Sequence, residues 1–401
     1  MSKEDAGRYL NYGFILFAFC FPISKAAVNV LELILVGLWI YEGRWHYKFS
    51  LMRSSRFLVV LLLFLGWFIL SIPWAVTPEF AVAYIGKFHH FLLIPILYTS
   101  LQRAYIEAIF SAFIGSMFMS ELLSYGIYFE LLHYKDATPE FPTPFMHHIT
   151  YSVVLAFTST ILLVKIFRAK QLSYRIFSAL FFITVVMNLF INGGRTGQVV
   201  FIVLLFIVFL SFMQQKLRAV VLALFLVLTT LTLAYNFSDN FAARVAQFQK
   251  GINKIVEEND YRDQGGMRAA LWITGVEVFL DHPLTGMGIG NAMKDANSYV
   301  AKHHFKTADM RMFADYHNVF INIAAQLGVV GLLLFCLLLY RLFRLDFKHR
   351  EYRVLNRTFL VSFILFSMTH NTIHTMFPMV YFALFAGLFS AISRLDSQSL
   401  S

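Results

Sequence analysis

Charge and cysteine are what this sequence has least of. Charged residues make up 14% of the chain, and cysteine occurs only twice, at Cys20 and Cys336. Soluble domains carry about a quarter charged residues, so this scarcity excludes an ordinary soluble enzyme. Cys20 falls toward the outer end of the first apolar run and Cys336 toward the inner end of the tenth, so a disulfide between them is not expected. No tandem repeat or low-complexity tract is present, which removes the solenoid architectures. The first apolar run passes straight into a second, so it reads as a retained helix rather than a cleavable signal. The sequence also lacks a His-Glu-x-x-His pattern and an outer cysteine ligand. His370 and His374 stand four apart without a third ligand that can be named, and no metal is expected.

What is there is hydrophobic: 58% of residues, with 17% aromatic. Runs of about 17 to 25 apolar residues are long enough to cross the hydrocarbon as helices, and unpaired backbone in lipid forbids most alternatives. Twelve such runs can be drawn, giving an all-α polytopic membrane protein. Residues 1–235 hold nine runs, 236–316 form a long loop, and 317–401 hold the last three and a tail. Most of the 33 basic residues fall in alternate connections, such as Arg44 to Arg56, Lys165 to Arg175 and Arg341 to Arg357. Cytoplasmic loops carry that excess, so both termini are expected inside and the long loop outside. The net charge of +10 follows from this sidedness and matches anionic lipid headgroups; nucleic-acid binding is not expected.

The loop, about 80 residues from Asn236 to Tyr316, is far longer than most connections. Helical patterning runs through "NFAARVAQFQKGINKIVEE" and "MRAALWITGVEVFLDHP". In the second, Leu271, Trp272, Val276, Phe279 and Leu280 form a stripe at helical spacing, expected to lie along the membrane surface. "DHPLTGMGIGN" then ends that helix. Its glycines follow no strand, so a flexible turn is expected rather than a nucleotide loop.

A charge in or beside a bilayer usually marks function. Arg195, in "INGGRTGQVVF", sits at the outer mouth between the seventh and eighth runs. It is either a snorkelling arginine on a tight turn or a planar fork for phosphate or carboxylate oxygens. In the second case Gly193, Gly194 and Gly197 would let backbone approach the ligand. Arg268 begins the amphipathic stretch and is either a second such donor or part of a solvated face. His317, where the tenth run begins, is either an acid/base near neutral pH or an interfacial histidine bonded to its neighbours. Lys87, with His89 and His90, lies about two turns inside the fourth run and can be a further cation. Glu32 and Glu121 are acids at membrane depth, for which pairing with Lys87 would lower the cost. Together the outer arginines, the acid/base and the loop describe a site for an anionic, lipid-linked substrate such as a lipid pyrophosphate.

"GGRTGQ", "RAALWITGVEVFLDHPLTGMGIGN" and "YHNVFINIAAQLGVVG", in this order and topology over nearly the whole chain, resemble the O-antigen ligases, within the O-antigen ligase and polymerase-like membrane glycosyltransferases. The resemblance implies a GT-C-like fold of about twelve membrane helices with a periplasmic helical loop between helices 9 and 10. It also implies transfer of a glycan from undecaprenyl pyrophosphate to the lipid A-core oligosaccharide, without metal or cofactor, at the periplasmic face of a bacterial inner membrane. Arg195 and Arg268 then resemble the family's pyrophosphate-binding arginines and His317 its essential histidine. Lys87, Glu32, Glu121 and His147 have provisional places. The charge developing on the leaving pyrophosphate would be met by arginines, with His317 as general base, in one inverting displacement. An O-antigen polymerase or a protein-glycosylating relative would share this donor. A lipid-linked glycan flippase is the rival of another class, disfavoured by the loop's position.

Overall fold

Apolar stretches punctuated by short polar turns become helices in the computed structural model, which describes residues 2–75, 78–237, 239–290, 293, 296–303 and 305–398. Helices α1 (Lys3–Cys20) and α2 (Lys25–Glu42) form a hairpin, and α2 turns by 112° into α3 (Trp45–Ser54). Next come α4 (Arg56–Leu70) and α5 (Pro78–Gly86), which runs through a 3₁₀ segment, Lys87–Leu92, into α6 (Leu93–Ser100). Then follow α7 (Ile106–Tyr128), α8 (His148–Arg168), α9 (Leu172–Ile191), α10 (Arg195–Phe212) and α11 (Lys216–Phe237). The long loop contributes α12 (Asp239–Glu258), α13 (Gln264–Asp281) and α14 (Ala296–His303). The chain ends with α15 (Val319–Phe343), α16 (Arg350–Ser367) and α17 (Met376–Gln398). Among the described residues only two isolated bridges, Thr138 with Phe141 and Asp260 with Lys306, have β pairing.

Nine helical segments in the described residues are long and apolar enough to cross a membrane, making the chain a multi-pass membrane protein. The other three expected spans coincide with helices α1, α2 and α16. Apolarity on every face decides which helices are central. The apolar window of α17 is 94% buried and that of α8 83%, whereas that of α11 is 17% buried and lies at the rim. Rings of Phe157, Phe359, Tyr381 and Phe385 pack against one another at the centre. Cys20 and Cys336 are both free.

The loop has a core of its own, built from Tyr261, Met267, Leu271, Val278, Tyr299 and Tyr316 and joined to the bundle through Ala325 of α15. This corrects the expected stripe on α13. Met267, Ala270, Leu271, Thr274 and Val278 are buried, as are Gly266 and Gly275, while Val276 and Leu280 are exposed. Gly275 lies against Tyr316 and Ile321, so α13 seats on the start of α15.

The "LTGMGIG" turn is also different from the expected flexible one. Helix α15 breaks at Gly328, whose φ is 66°, freeing backbone groups around its third turn. The turn takes them up: Met287 and Gly288 donate to the carbonyls of Ala325 and Gln326, both at 2.9 Å, and Val329 donates to Pro283 at 2.8 Å. Gln326 Oε1 accepts from the Gly290 amide at 3.0 Å. A Cβ on Gly286 would strike the Gln326 carbonyl, and one on Gly328 the Leu284 carbonyl. The glycines therefore lock two backbones together, and no nucleotide loop is formed. Asn291, the last residue of that motif, and His304 in α14's flank lie outside the described residues.

Candidate functional site

The site grows from the ends of helices that face the long loop. Arg195 is the first residue of α10, with no acidic residue in that turn. A cation there opposes the helix dipole, whose N-terminal end favours anions. The glycines around it serve packing, which corrects their expected part in ligand approach. A Cβ on Gly194 would overlap Ser152 and the His148 carbonyl, and one on Gly197 would overlap the Ser152 backbone. Their absence of side chain lets the α10 N-terminus press onto the first turn of α8, whose cap residue is His147.

Arg268, half-buried in the second turn of α13, meets this end of the bundle from the loop. Burial lowers its affinity for a proton, and the charge of Arg195 lowers it further. The two guanidinium groups are thus near enough to repel. His147 loses water to the chain around it and feels the Arg268 charge, and both hold its pKa below the usual histidine range.

His317 precedes α15 and has a left-handed backbone, φ 51°, uncommon for a residue with a side chain. Asp315 produces that turn: its Oδ1 accepts from the His317 backbone N–H at 2.7 Å and from Nδ1–H at 3.0 Å. A carboxylate only accepts, so this bond places the ring proton on Nδ1 and leaves the Nε2 lone pair free to take a proton. Asn371 Nδ2 donates to the other oxygen, Oδ2, at 3.2 Å. Burial pushes the Asp315 carboxyl up, but the bonds and charge of His317 outweigh it and hold it below the usual carboxylate range.

The link between α16 and α17 closes the site. Thr369 bonds Thr196 of α10 at 3.0 Å, which ties the link carrying His370, Asn371 and His374 to the helix that Arg195 begins. Burial pushes His370 down to about 4; Asp315 opposes this, while His317, His147 and Arg268 add to it. Those four groups therefore surround one imidazole. His374, lowered to about 4 by burial and then by the Lys87 charge, also feels Asp315. Lys87 Nζ donates to His374 Nε2 at 2.9 Å, and the His374 ring stacks on Tyr84 with centroids 4.0 Å apart. The Tyr84 hydroxyl is buried without a hydrogen-bond partner among the described residues.

Arg195, Arg268, His317, Lys87 and His147 thus share one neighbourhood. Neither Glu32 nor Glu121 is the partner of Lys87, a pairing that the sequence left open. Glu32 bonds His90 Nδ1 at 2.8 Å, and Glu121 Oε2 is buried in α7 without a hydrogen-bond partner among the described residues. Asp315 and Asn371 are the neighbours that sequence reasoning missed, and His370 entered it only as a metal-ligand candidate. Only Asp315 had a local signal, since an Asp two residues before a residue at positive φ is a turn former. The arrangement can hold an anion between guanidinium forks beside an oriented base.

No curated protein matches the chain. The family model described as O-Antigen ligase matches residues 179–336, a stretch running from within α9 into α15 and including Arg195, Arg268 and His317. Residues 179–336 of this multi-pass chain are thus similar to the O-antigen ligase family.

Proposed function

We propose that the protein is an O-antigen ligase that moves a glycan from undecaprenyl pyrophosphate to the lipid A-core oligosaccharide. The observation that carries this reading is the closeness of Arg195 and Arg268, near enough for the Arg195 charge to act on Arg268. One of the two guanidiniums stands at a helix N-terminus, which favours anions. A pyrophosphate accepts two planar forks. Lys87 supplies a further cation at the deeper edge of the site.

In the proposed reaction an acceptor hydroxyl attacks the anomeric carbon of the donor glycan. The new C–O bond forms as the bond to pyrophosphate breaks, and the released electron pair spreads over oxygens facing Arg195 and Arg268. His317 takes the hydroxyl proton at Nε2, the nitrogen that the Asp315 bond leaves unprotonated. The displacement inverts the anomeric configuration and needs no metal at the arginines, because they provide the positive charge. Helices α1, α2 and α16 complete twelve spans in the bacterial inner membrane, with both termini cytoplasmic and α12 to α14 in the periplasm. That placement follows the basic residues of the opposite connections.

Reconstitution with a defined lipid-linked donor and a core acceptor tests the reading. A core product extended in one step, with inverted linkage, is expected. Extension of the lipid-linked glycan itself would indicate a polymerase, and movement of donor across the bilayer without bond formation a flippase.

A further inference from the structure

The 3₁₀ segment that begins with Lys87 also carries two adjacent histidines that converge on one buried carboxylate of α2. Glu32 is 6% exposed and His90 4% exposed. His90 Nδ1 lies 2.9 Å from Glu32 Oε1 and 2.8 Å from Oε2. His89 Nε2 stands 3.4 Å from Oε2. One ligand atom from each of the three residues falls within 4.8 Å of the other two.

The hydrogen bonds assign an unusual pairing here. His89 Nδ1 lies 2.9 Å from the Gly86 carbonyl oxygen, which can only accept, so Nδ1 carries the proton. With Nδ1 protonated, the Nε2 lone pair of the ring and the carboxylate oxygen are two acceptors that only a proton or a metal ion between them reconciles. A shared cation removes that conflict. The backbone carbonyl on the far nitrogen is also how metal-bound histidines are oriented. Around a tetrahedral ion with bonds of about 2.0–2.2 Å, ligand atoms stand roughly 3.3–3.6 Å apart, and the His89–Glu32 pair already has that spacing.

We propose that Glu32, His89 and His90 form a structural site for a divalent first-row metal ion of the zinc type. The ion takes a Glu32 oxygen, His89 Nε2 and His90 Nδ1, with the His90 proton moving to Nε2. Two imidazoles and a carboxylate suit such ions better than Mg²⁺ or Ca²⁺. The half-exposed His89 leaves a side open for entry. Glu32 lies seven residues into α2, about 10 Å from its start at 1.5 Å per residue, so the route is short. The ion would clamp α2 to the 3₁₀ segment and fix the backbone from which Lys87 reaches His374, apart from the arginines.

Full-length protein in detergent, stripped with a chelator, is titrated with Zn²⁺ and then desalted. About one tightly held equivalent and a raised melting temperature are expected. Both should disappear in Glu32→Gln and His89→Ala and persist in His303→Ala, which removes a separate His–Glu pair in the loop. His89→Ala keeps the Glu32–His90 bond, so it tests the site even if Glu32→Gln fails to fold. A stoichiometric ion or melting shift that survives His89→Ala would overturn the proposal. So would wild-type protein that retains no ion and melts identically with and without Zn²⁺, the behaviour of a proton-bound His–Glu cluster.

Discussion

The Nδ1 of His317 bonds Oδ1 of Asp315 at 3.0 Å, while the same oxygen accepts the His317 backbone N–H at 2.7 Å. One carboxylate oxygen therefore fixes both the left-handed backbone of His317 and the tautomer of its ring. Asn371 holds the second oxygen, so the carboxylate cannot rotate without losing a bond. If His317 is the base, Asp315 is the positioning residue that aims it.

The first prediction separates those roles. His317→Ala should lower the rate of transfer by ~10²–10⁴-fold, the usual worth of a general base. Asp315→Asn retains an acceptor but loses the charge that favours the Nδ1 tautomer, so it should cost less, fall mainly on kcat, and shift the pH–rate profile. An Asp315→Asn enzyme with wild-type kcat and pH profile would remove Asp315 from the mechanism.

Arg195→Ala and Arg268→Ala should each reduce transfer by ~10²–10³-fold, comparable to losing one donor to a developing anion. Arg195→Lys should remain poor, since an ammonium does not reproduce a two-pronged fork. Removing both arginines should cost less than the product of the single losses, because each relieves the other's repulsion. Strictly multiplicative losses would mean that the two act on different groups.

Acidification should destabilise the link between α16 and α17. His370 and His374 have pKa values lowered from 6.5 to about 4, so folding favours their neutral forms. Their contribution is fully present above pH 6.5 and is lost as the pH falls toward 4, where the unfolded chain takes up protons first. The melting temperature of purified protein should fall across that window. His370→Gln should flatten the fall, and an unchanged slope in that variant would contradict the burial-driven shift.

Gly328→Ala tests the lock between α15 and the "LTGMGIG" turn. The backbone at φ 66° and ψ −165° is essentially restricted to glycine and costs another residue about 1–3 kcal/mol. The Leu284 carbonyl also leaves no space for a methyl group. A lower melting temperature and faster amide exchange in residues 283–290 are expected. Wild-type exchange in that segment would show that the break is not what orders the turn.

Much of the fold was legible because it depends on composition and periodicity. Every apolar run became a helix, since a chain with this little charge has few other ways to satisfy its backbone. Arg195, Arg268 and His317 stood out because a polar residue beside a bilayer demands a partner. The stripe on α13 was misplaced for a related reason: both faces of that helix are apolar, so spacing alone cannot tell which one meets α15. The glycines near Arg195 were misread because a close helix–helix approach and a close ligand approach ask for the same residue.

Sequence by itself determined the helical bundle, the long loop with its own helices, and the residues whose charge needs explaining. Only the tertiary structure decided the partners: His374 for Lys87, His90 for Glu32, and Arg268 beside Arg195. Helix periodicity is set by neighbours three or four residues apart. The contacts that anchor the carboxylate behind the base, or bring two guanidiniums together, join residues more than fifty positions apart, and packing alone selects them.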